Sequence, residues 1–333
     1  MYSHFKFQTG KHCFYSTLHN IFLNKNISLQ EYEIYFLCNG MKFEFDVHVD
    51  LESVLNFMKI DYHYQLDVLS KTLSLDFQFA EGSALTDLFD CFFTDYNKKL
   101  PAILFLNSSV LQYHILQNPQ PNLGAHCLVL WEINSKYQSV LIGDSYVLDQ
   151  NGSIHKHILN ILFEELLPHL IGIGTFCFDK FYLPPFREII DIVINRIIQF
   201  ALGNERQGLE ALKKIIESFQ RMENARFKDN KDKMFEIIFL FKAYFSSTLG
   251  YFQDLLSDKR LSFENNSLIL NLADLERQWQ NYYTRCLTII SGNDHALVKK
   301  IIQNGYNLLT LQKKLFISIA GDLHQQLKNN VIK

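Results

Sequence analysis

The chain has 333 residues, 48% of them apolar and 20% charged, with a net charge of −3 at pH 7. That length carries two domains with cores of their own, and the composition excludes a disordered chain. The slightly acidic balance excludes a general nucleic-acid surface, which needs a basic excess.

Arg221–Asp229 interleaves its bases with acids and reads as a solvated helix face. No apolar stretch reaches the ~18 residues a membrane span needs, and the polar first ten residues lack a signal-peptide core. The six cysteines, at 13, 38, 91, 127, 177 and 286, form no CxxC pair. A zinc site or disulfide framework is therefore not expected; free thiols in a reducing cytoplasm are. The abundance of Phe, Ile, Asn and Lys fits an AT-rich bacterial genome.

In chain order, a polar stretch ends at Cys13, and Leu18, Ile21 and Phe22 recur at helical spacing, predicting a helix over 14–24. A cysteine in the first turn of a helix feels the partial positive charge of the exposed N–H groups, which favours thiolate. Ser28 is the expected cap of a helix over 29–38, with Glu31 completing a capping box. Cys38-Asn39-Gly40 reads as that helix's C-cap. Residues 41–45 alternate and predict a strand; a helix is expected over 50–58, strand or loop over 62–66, and a helix over 83–97.

Pro101–Leu106 predicts a short strand buried on both faces. The loop 117–125 precedes a strand over 126–133, opened by His126, and a strand over 138–144 ends in Asp144. Leu183-Pro184-Pro185 cannot continue a helix or a central strand and marks a boundary. Helices are expected beyond it over 186–202, 206–224, 230–256, 267–292, 293–304 and 306–329, with Gly203, Gly250 and Gly292 at ends or kinks. The expected architecture is an α+β domain over 1–183 and an all-helical domain over 184–333. The second domain's expected role is to cover the first and complete a substrate pocket.

An acyl-transferring thiol needs a thiolate, an imidazole to exchange the proton, and a group fixing the imidazole's tautomer. Cys13, His126 and Asp144 supply these from a helix start and two strands. Alone, each has a bland reading, since a lone cysteine is usually a buried hydrophobe; together they make a candidate triad. Asp149 competes as the carboxylate, but Asp149-Gln150-Asn151-Gly152 is already explained as a hairpin turn. Strand alternation sends Cys127 away from His126 and into the core. His12 is expected to point away from Cys13. His155-Lys156-His157 has metal-like spacing on a strand but lacks a partner, and reads as a surface hairpin. Gly172-Ile173-Gly174 lacks the strand–helix setting of a dinucleotide loop. No metal or bound cofactor is expected.

Residues 11–45, with His12-Cys13, Ile27-Ser28-Leu29 and the Asn39-Gly40-Met41-Lys42-Phe43 turn, resemble the N-terminal domain of the butirosin biosynthesis protein H family. The segment from 186 onward resembles the helical domain that often follows it. The family usually carries a Gly-rich turn after the second helix, of which Gly40 remains here. The resemblance implies a papain-like fold, with Cys13, His126 and Asp144 in the chain order of that fold. It also implies transfer of an acyl group from the phosphopantetheine thioester of an acyl or peptidyl carrier protein to a small amine, in natural-product assembly. Papain-like enzymes place an oxyanion-binding glutamine before the cysteine, which makes Gln8 the candidate, one position nearer than in the peptidase relatives.

Docking an acidic carrier protein would need a local basic patch, for which Lys98-Lys99 and Arg187 are candidates. A peptidase or thioesterase with the same triad, and a non-catalytic binding module, are the alternatives. The oligomeric state stays open, a dimer included.

Overall fold

The computed structural model describes residues 5–42, 61–81, 100–107, 111, 125–134, 136, 138–148, 153–204, 207–219, 231–263, 266–292, 297–329 and 332. Most of the strand expected over 41–45, the helices over 50–58 and 83–97, most of the loop 117–125, the Asp149–Gly152 turn, Lys98-Lys99 and the 221–229 run lie outside them. The protein is mixed α+β and divides into two compact units. One comprises Met1–Cys38 and Tyr62–Leu183, the other Asn39–Asp61 and Pro184–Lys333.

The first unit holds helices α1 (Cys13–Asn24), α2 (Glu31–Leu37) and α3 (Tyr62–Leu73), and strands β1 (Asp76–Glu81), β2 (Ala102–Asn107), β3 (Ala125–Asn134), β4 (Ser139–Leu148), β5 (Ile154–Leu162) and β6 (Leu170–Cys177), with the short helix α4 (Phe163–Leu166) before β6. The strands form one six-stranded sheet in the order β1-β6-β2-β3-β4-β5, and every pairing is antiparallel. Leu104, Leu106, Leu128, Leu130, Val140 and Ile142 build one buried apolar cluster. Alternation turns Phe105 and Cys127, paired across β2 and β3, to the opposite side. There α1 packs, and Thr17 Oγ1 donates to the Cys127 carbonyl at 3.1 Å.

An extended segment before α1 is laced to it by two asparagines one turn apart. Asn20 accepts from the Gln8 N–H at 2.8 Å and donates to the Gln8 carbonyl at 3.0 Å. Asn24 does the same for Lys6, at 3.1 and 2.7 Å. Four helical residues rise about 6 Å and two extended residues about 6.6 Å, so i,i+4 amides match an i,i+2 backbone. Phe5 and Phe7 project from this segment onto Trp131, with ring centroids at 5.1 and 4.6 Å. Trp131 in turn lies over Gly143, where an added Cβ would meet its ring at 2.4 Å.

Several expectations change. The α2 helix begins at Glu31, its cap is Gln30 rather than Ser28, and Glu33 Oε2 accepts from the Gln30 N–H at 2.6 Å. Glu31 instead serves the start of α1. The C-cap falls on Cys38, and Asn39 takes the left-handed conformation at φ 57° that usually closes a helix. Residues 62–66, expected as strand or loop, open α3, and β1 and β6 add strands that the sequence pattern does not predict. The β5 strand edges the sheet, is largely exposed and pairs with β4, in keeping with the surface hairpin expected at His155–His157. Gly172 and Gly174 of β6 are small because Phe79 and Phe77 of β1 cross them; an added Cβ would approach those rings to 2.4 and 2.7 Å.

The second unit holds α5 (Phe186–Ala201), α6 (Gly208–Ser218), α7 (Lys231–Leu256), α8 (Asn266–Gly292) and α9 (Val298–Lys328). The two helices expected over 293–304 and 306–329 are continuous in α9 from Val298 onward, and Gly250 lies inside α7 rather than at a break. The core centres on Trp279, stacked on Phe245 at 4.5 Å. The Trp279 indole N–H donates to Gln312 Oε1 at 3.0 Å, so the indole N–H is satisfied within the buried core.

Gly143→Ala would force a methyl group into the Trp131 ring and the nearby Phe7. We expect it to lower stability by about 1–3 kcal/mol, the usual cost of overpacking. Urea unfolding followed by tryptophan fluorescence checks this.

Candidate active site

The start of α1 is built to leave Cys13 at the head of the helix. His12 is the N-cap, and its Nδ1 accepts from the Phe14 N–H at 3.2 Å. Two more donors of this turn point elsewhere. The Lys11 N–H meets both oxygens of Glu31, at 3.0 and 3.1 Å, and the His12 N–H meets Oε1 at 3.2 Å. Gly10 is the residue that fits the approach, because a Cβ there would sit 2.1 Å from that of Ser16 and 2.6 Å from Glu31 Oε2. Its N–H donates to the Ser145 carbonyl at 3.1 Å, and the Ser16 and Ser145 hydroxyls share a hydrogen bond of 2.7 Å.

Ser145 reaches α1 because β4 is irregular there: its pairing with β5 shifts between Asp144 and Val147. Such bulges leave residues unpaired and re-aim side chains. Here the irregularity releases the Tyr146 N–H, which donates to Asp144 Oδ1 at 3.0 Å. The other oxygen, Oδ2, lies 2.8 Å from His126 Nε2. Asp144 is 1% exposed and His126 7%, so this is a buried pair. With Nε2 taken by Asp144, Nδ1 is the ring nitrogen left for the hydrogen bond between His126 and Cys13. The structure thus brings the three expected residues into one chain of contacts.

The electrostatics follow from the geometry. Burial works against a charged imidazole at His126, but the Asp144 charge and hydrogen bond, with the Cys13 sulfur behind them, outweigh it and raise its pKa to about 10. The Cys13 thiol is held well below the ordinary range. The leading cause is a hydrogen bond from the Cys127 thiol; burial opposes it, and His12 and His126 add to it. Thiolate and imidazolium therefore coexist at neutral pH. Tyr146 is pushed up to about 12, by burial first and then by Cys13 and Glu31, so it stands beside the site as a neutral phenol. Burial also lowers His12, and with Nδ1 accepting, its neutral ring carries the proton on Nε2.

The surroundings of Cys13 add detail to the sequence reading. Cys127 is fully buried in the core, as strand alternation implies, and on that side its thiol also hydrogen-bonds Cys13, because α1 crosses the sheet there. Alternation separates neighbours on a strand, but at the second and third residues of β3 both side chains reach one sulfur. His12 takes a hydrogen-bonding role, as the cap of the first turn. Gln8 is exposed, and its backbone is held along α1 by Asn20. Tyr62, on α3, hydrogen-bonds Cys127 and went unnoticed because its segment was not read as a helix. Arg187 Nη2 donates to the Leu327 carbonyl at 3.1 Å within the helical unit.

Among the described residues no group of three or more His, Cys, Asp or Glu side chains could hold a metal ion, and no helix is long and apolar enough to cross a membrane. Compared with known proteins, the chain matches no family model and no curated sequence.

Asp144→Asn keeps a hydrogen-bond acceptor for His126 and removes the charge. The His126 pKa should fall from about 10, by roughly 1–3 pH units, and the Cys13 thiolate should then persist over a narrower range. Titration of the His126 ring protons by NMR in both proteins checks this.

Proposed function

We propose that the chain is a cysteine-dependent acyltransferase whose first unit has a papain-like fold, as the resemblance to the butirosin biosynthesis protein H family implies. The single observation that carries the proposal is the contact chain Cys13–His126–Asp144. It sets the sulfur of a half-buried cysteine on a helix N-terminus against an imidazole whose far nitrogen is fixed by a buried carboxylate.

In this reading the Cys13 thiolate attacks the carbonyl carbon of an acyl thioester on a carrier-protein phosphopantetheine arm. The carbon–sulfur bond of the arm breaks, and its departing sulfur takes the His126 proton. That leaves an acyl-Cys13 thioester and a neutral imidazole. An amine then attacks the same carbon and gives its proton to His126 as the bond to Cys13 breaks, which restores thiolate and imidazolium and releases an amide. The exchange of one thioester for another is close to neutral, and amide formation from a thioester is downhill, so the cycle calls for no nucleotide and no redox partner. The Cys13 N–H, an unpaired first-turn donor by its place in the helix, and the Gln8 amide are the proposed holders of the oxyanion.

Incubation with a simple acyl thioester of a pantetheine mimic, read by intact mass beside Cys13→Ala, tests the proposal. The expected result is an acyl adduct on the natural protein alone, discharged faster by amines than by water. Faster discharge by water would replace transfer with hydrolysis. No adduct, together with a Cys13 inert to alkylation, would overturn the enzyme reading.

A further inference from the structure

The Cys13 sulfur has a second partner besides the imidazole. Cys127, adjacent to His126 on β3, is wholly buried, and its thiol hydrogen-bonds Cys13. Thr17, one turn after Cys13, pins the Cys127 carbonyl at 3.1 Å, so α1 and β3 are locked together where the two sulfurs meet. Beyond Cys127 stands Tyr62, whose hydroxyl hydrogen-bonds the Cys127 sulfur. Its ring is wedged between Phe14 at 4.8 Å and Phe105 at 5.3 Å. A buried cysteine is usually an inert hydrophobe. This one is held at both ends of its sulfur by hydrogen-bonding groups.

We propose that Cys127 is a catalytic hydrogen-bond donor, whose S–H points at the Cys13 sulfur and stabilises it as a thiolate, with Tyr62 as the positioning residue that orients Cys127. The inference rests on Cys13 being the nucleophile. The direction of the bond follows from placement. Cys13 is partly exposed at a helix N-terminus beside an imidazolium, whereas Cys127 has no comparable cation and would bury a naked charge. The proton therefore stays on Cys127. Consistently, its thiol is pushed well up by burial first and by Cys13 second, and Tyr62, raised mainly by burial, keeps its own proton to donate.

This donor discriminates between states of the reaction. A thiolate accepts a charge-assisted hydrogen bond, and a thioester sulfur is a poor acceptor. The bond is thus weakest in the acyl-enzyme and regained as Cys13 departs from the acyl group. Its contribution falls on the aminolysis half of the cycle, where an amine expels the thiolate, because only an interaction stronger in the transition state than before it accelerates a step.

The test is the pH dependence of Cys13 alkylation by iodoacetamide, followed on the Cys13 peptide so that the exposed Cys177 does not interfere. His12 and Tyr15 on the α1 side, Tyr62 on α3, His126 on β3 and Tyr146 on β4 also face Cys13, while Asp144 and Glu31 stand behind His126 and Tyr146. These groups stay in place across the comparison of Cys127 variants. Cys127→Ala should raise the alkylation midpoint by about one pH unit and slow discharge of the acyl-enzyme by amines about tenfold, with acylation less affected. Cys127→Ser, which restores a donor, should recover most of both.

Cys127→Val fills the buried site without a donor and carries the test if the alanine variant unfolds. Tyr62→Phe, which keeps the ring packing, should raise the midpoint by a smaller step. A low midpoint in the natural protein that neither the alanine nor the valine variant moves would overturn the proposal and leave the Cys13–His126 pair standing. A natural-protein midpoint in the ordinary thiol range would overturn both.

Discussion

Everything at this site depends on one electrostatic arrangement: a sulfur anion at the head of α1 facing an imidazolium whose charge is balanced by a buried carboxylate. A buried carboxylate alone is costly, and a buried imidazolium alone is costly as well. Placed 2.8 Å apart, with the second carboxylate oxygen accepting from a backbone N–H at 3.0 Å, they offset each other. Removing one member of such a pair usually costs on the order of 3–5 kcal/mol, because the survivor is left uncompensated. The pair therefore acts as a fixed positive wall against which the thiol of Cys13 ionises.

The rest of the first unit keeps that wall and the helix head in register. The irregularity in β4 turns Asp144 inward and offers Ser145 to the loop before α1. Asn20 and Asn24 hold the extended segment along the helix with paired amide bonds, and Glu31 gathers the Lys11 and His12 N–H groups. Glu31 also puts a negative charge near the turn that carries Cys13. The sulfur answers it with donors of its own, from His126 and Cys127. The site is thus preorganised by backbone-directed hydrogen bonds instead of by long flexible ion pairs, which suits a nucleophile that must return to one position after each half-reaction.

How much of this was legible in the sequence depends on which physical signal each residue carries. The α1 helix and strands β2, β3 and β4 announce themselves through apolar spacing, and the polar residues that interrupt that spacing at its ends, Cys13, His126 and Asp144, stand out as chemistry. Cys127, His12 and Tyr62 gave no such signal. Alternation sends Cys127 into the core, where it lies, but alternation describes a strand by itself and says nothing of where a helix crosses it. The identity of the α2 cap was hidden because two glutamates two residues apart both suit a capping box; the tertiary contact to Lys11 and His12 decides between them. The β5 strand shows in the sequence as an exposed hairpin, whereas β6 is masked by glycines whose reason, the rings of Phe77 and Phe79, lies on another strand. In the helical unit the continuity of α9 through Gly305 was not readable, since an isolated glycine marks a break or a close approach equally well.

The ionisation state of Cys13 is the claim on which the account turns, and it can be observed without any substrate. The ultraviolet absorbance of the thiolate, taken as the difference between the natural protein and Cys13→Ala across pH, reports it directly. The account predicts a thiolate already formed at neutral pH and lost only on acidification, because Cys127 and His126 stabilise it. A signal that emerges only in the ordinary thiol range would contradict the ion pair and the chemistry built on it.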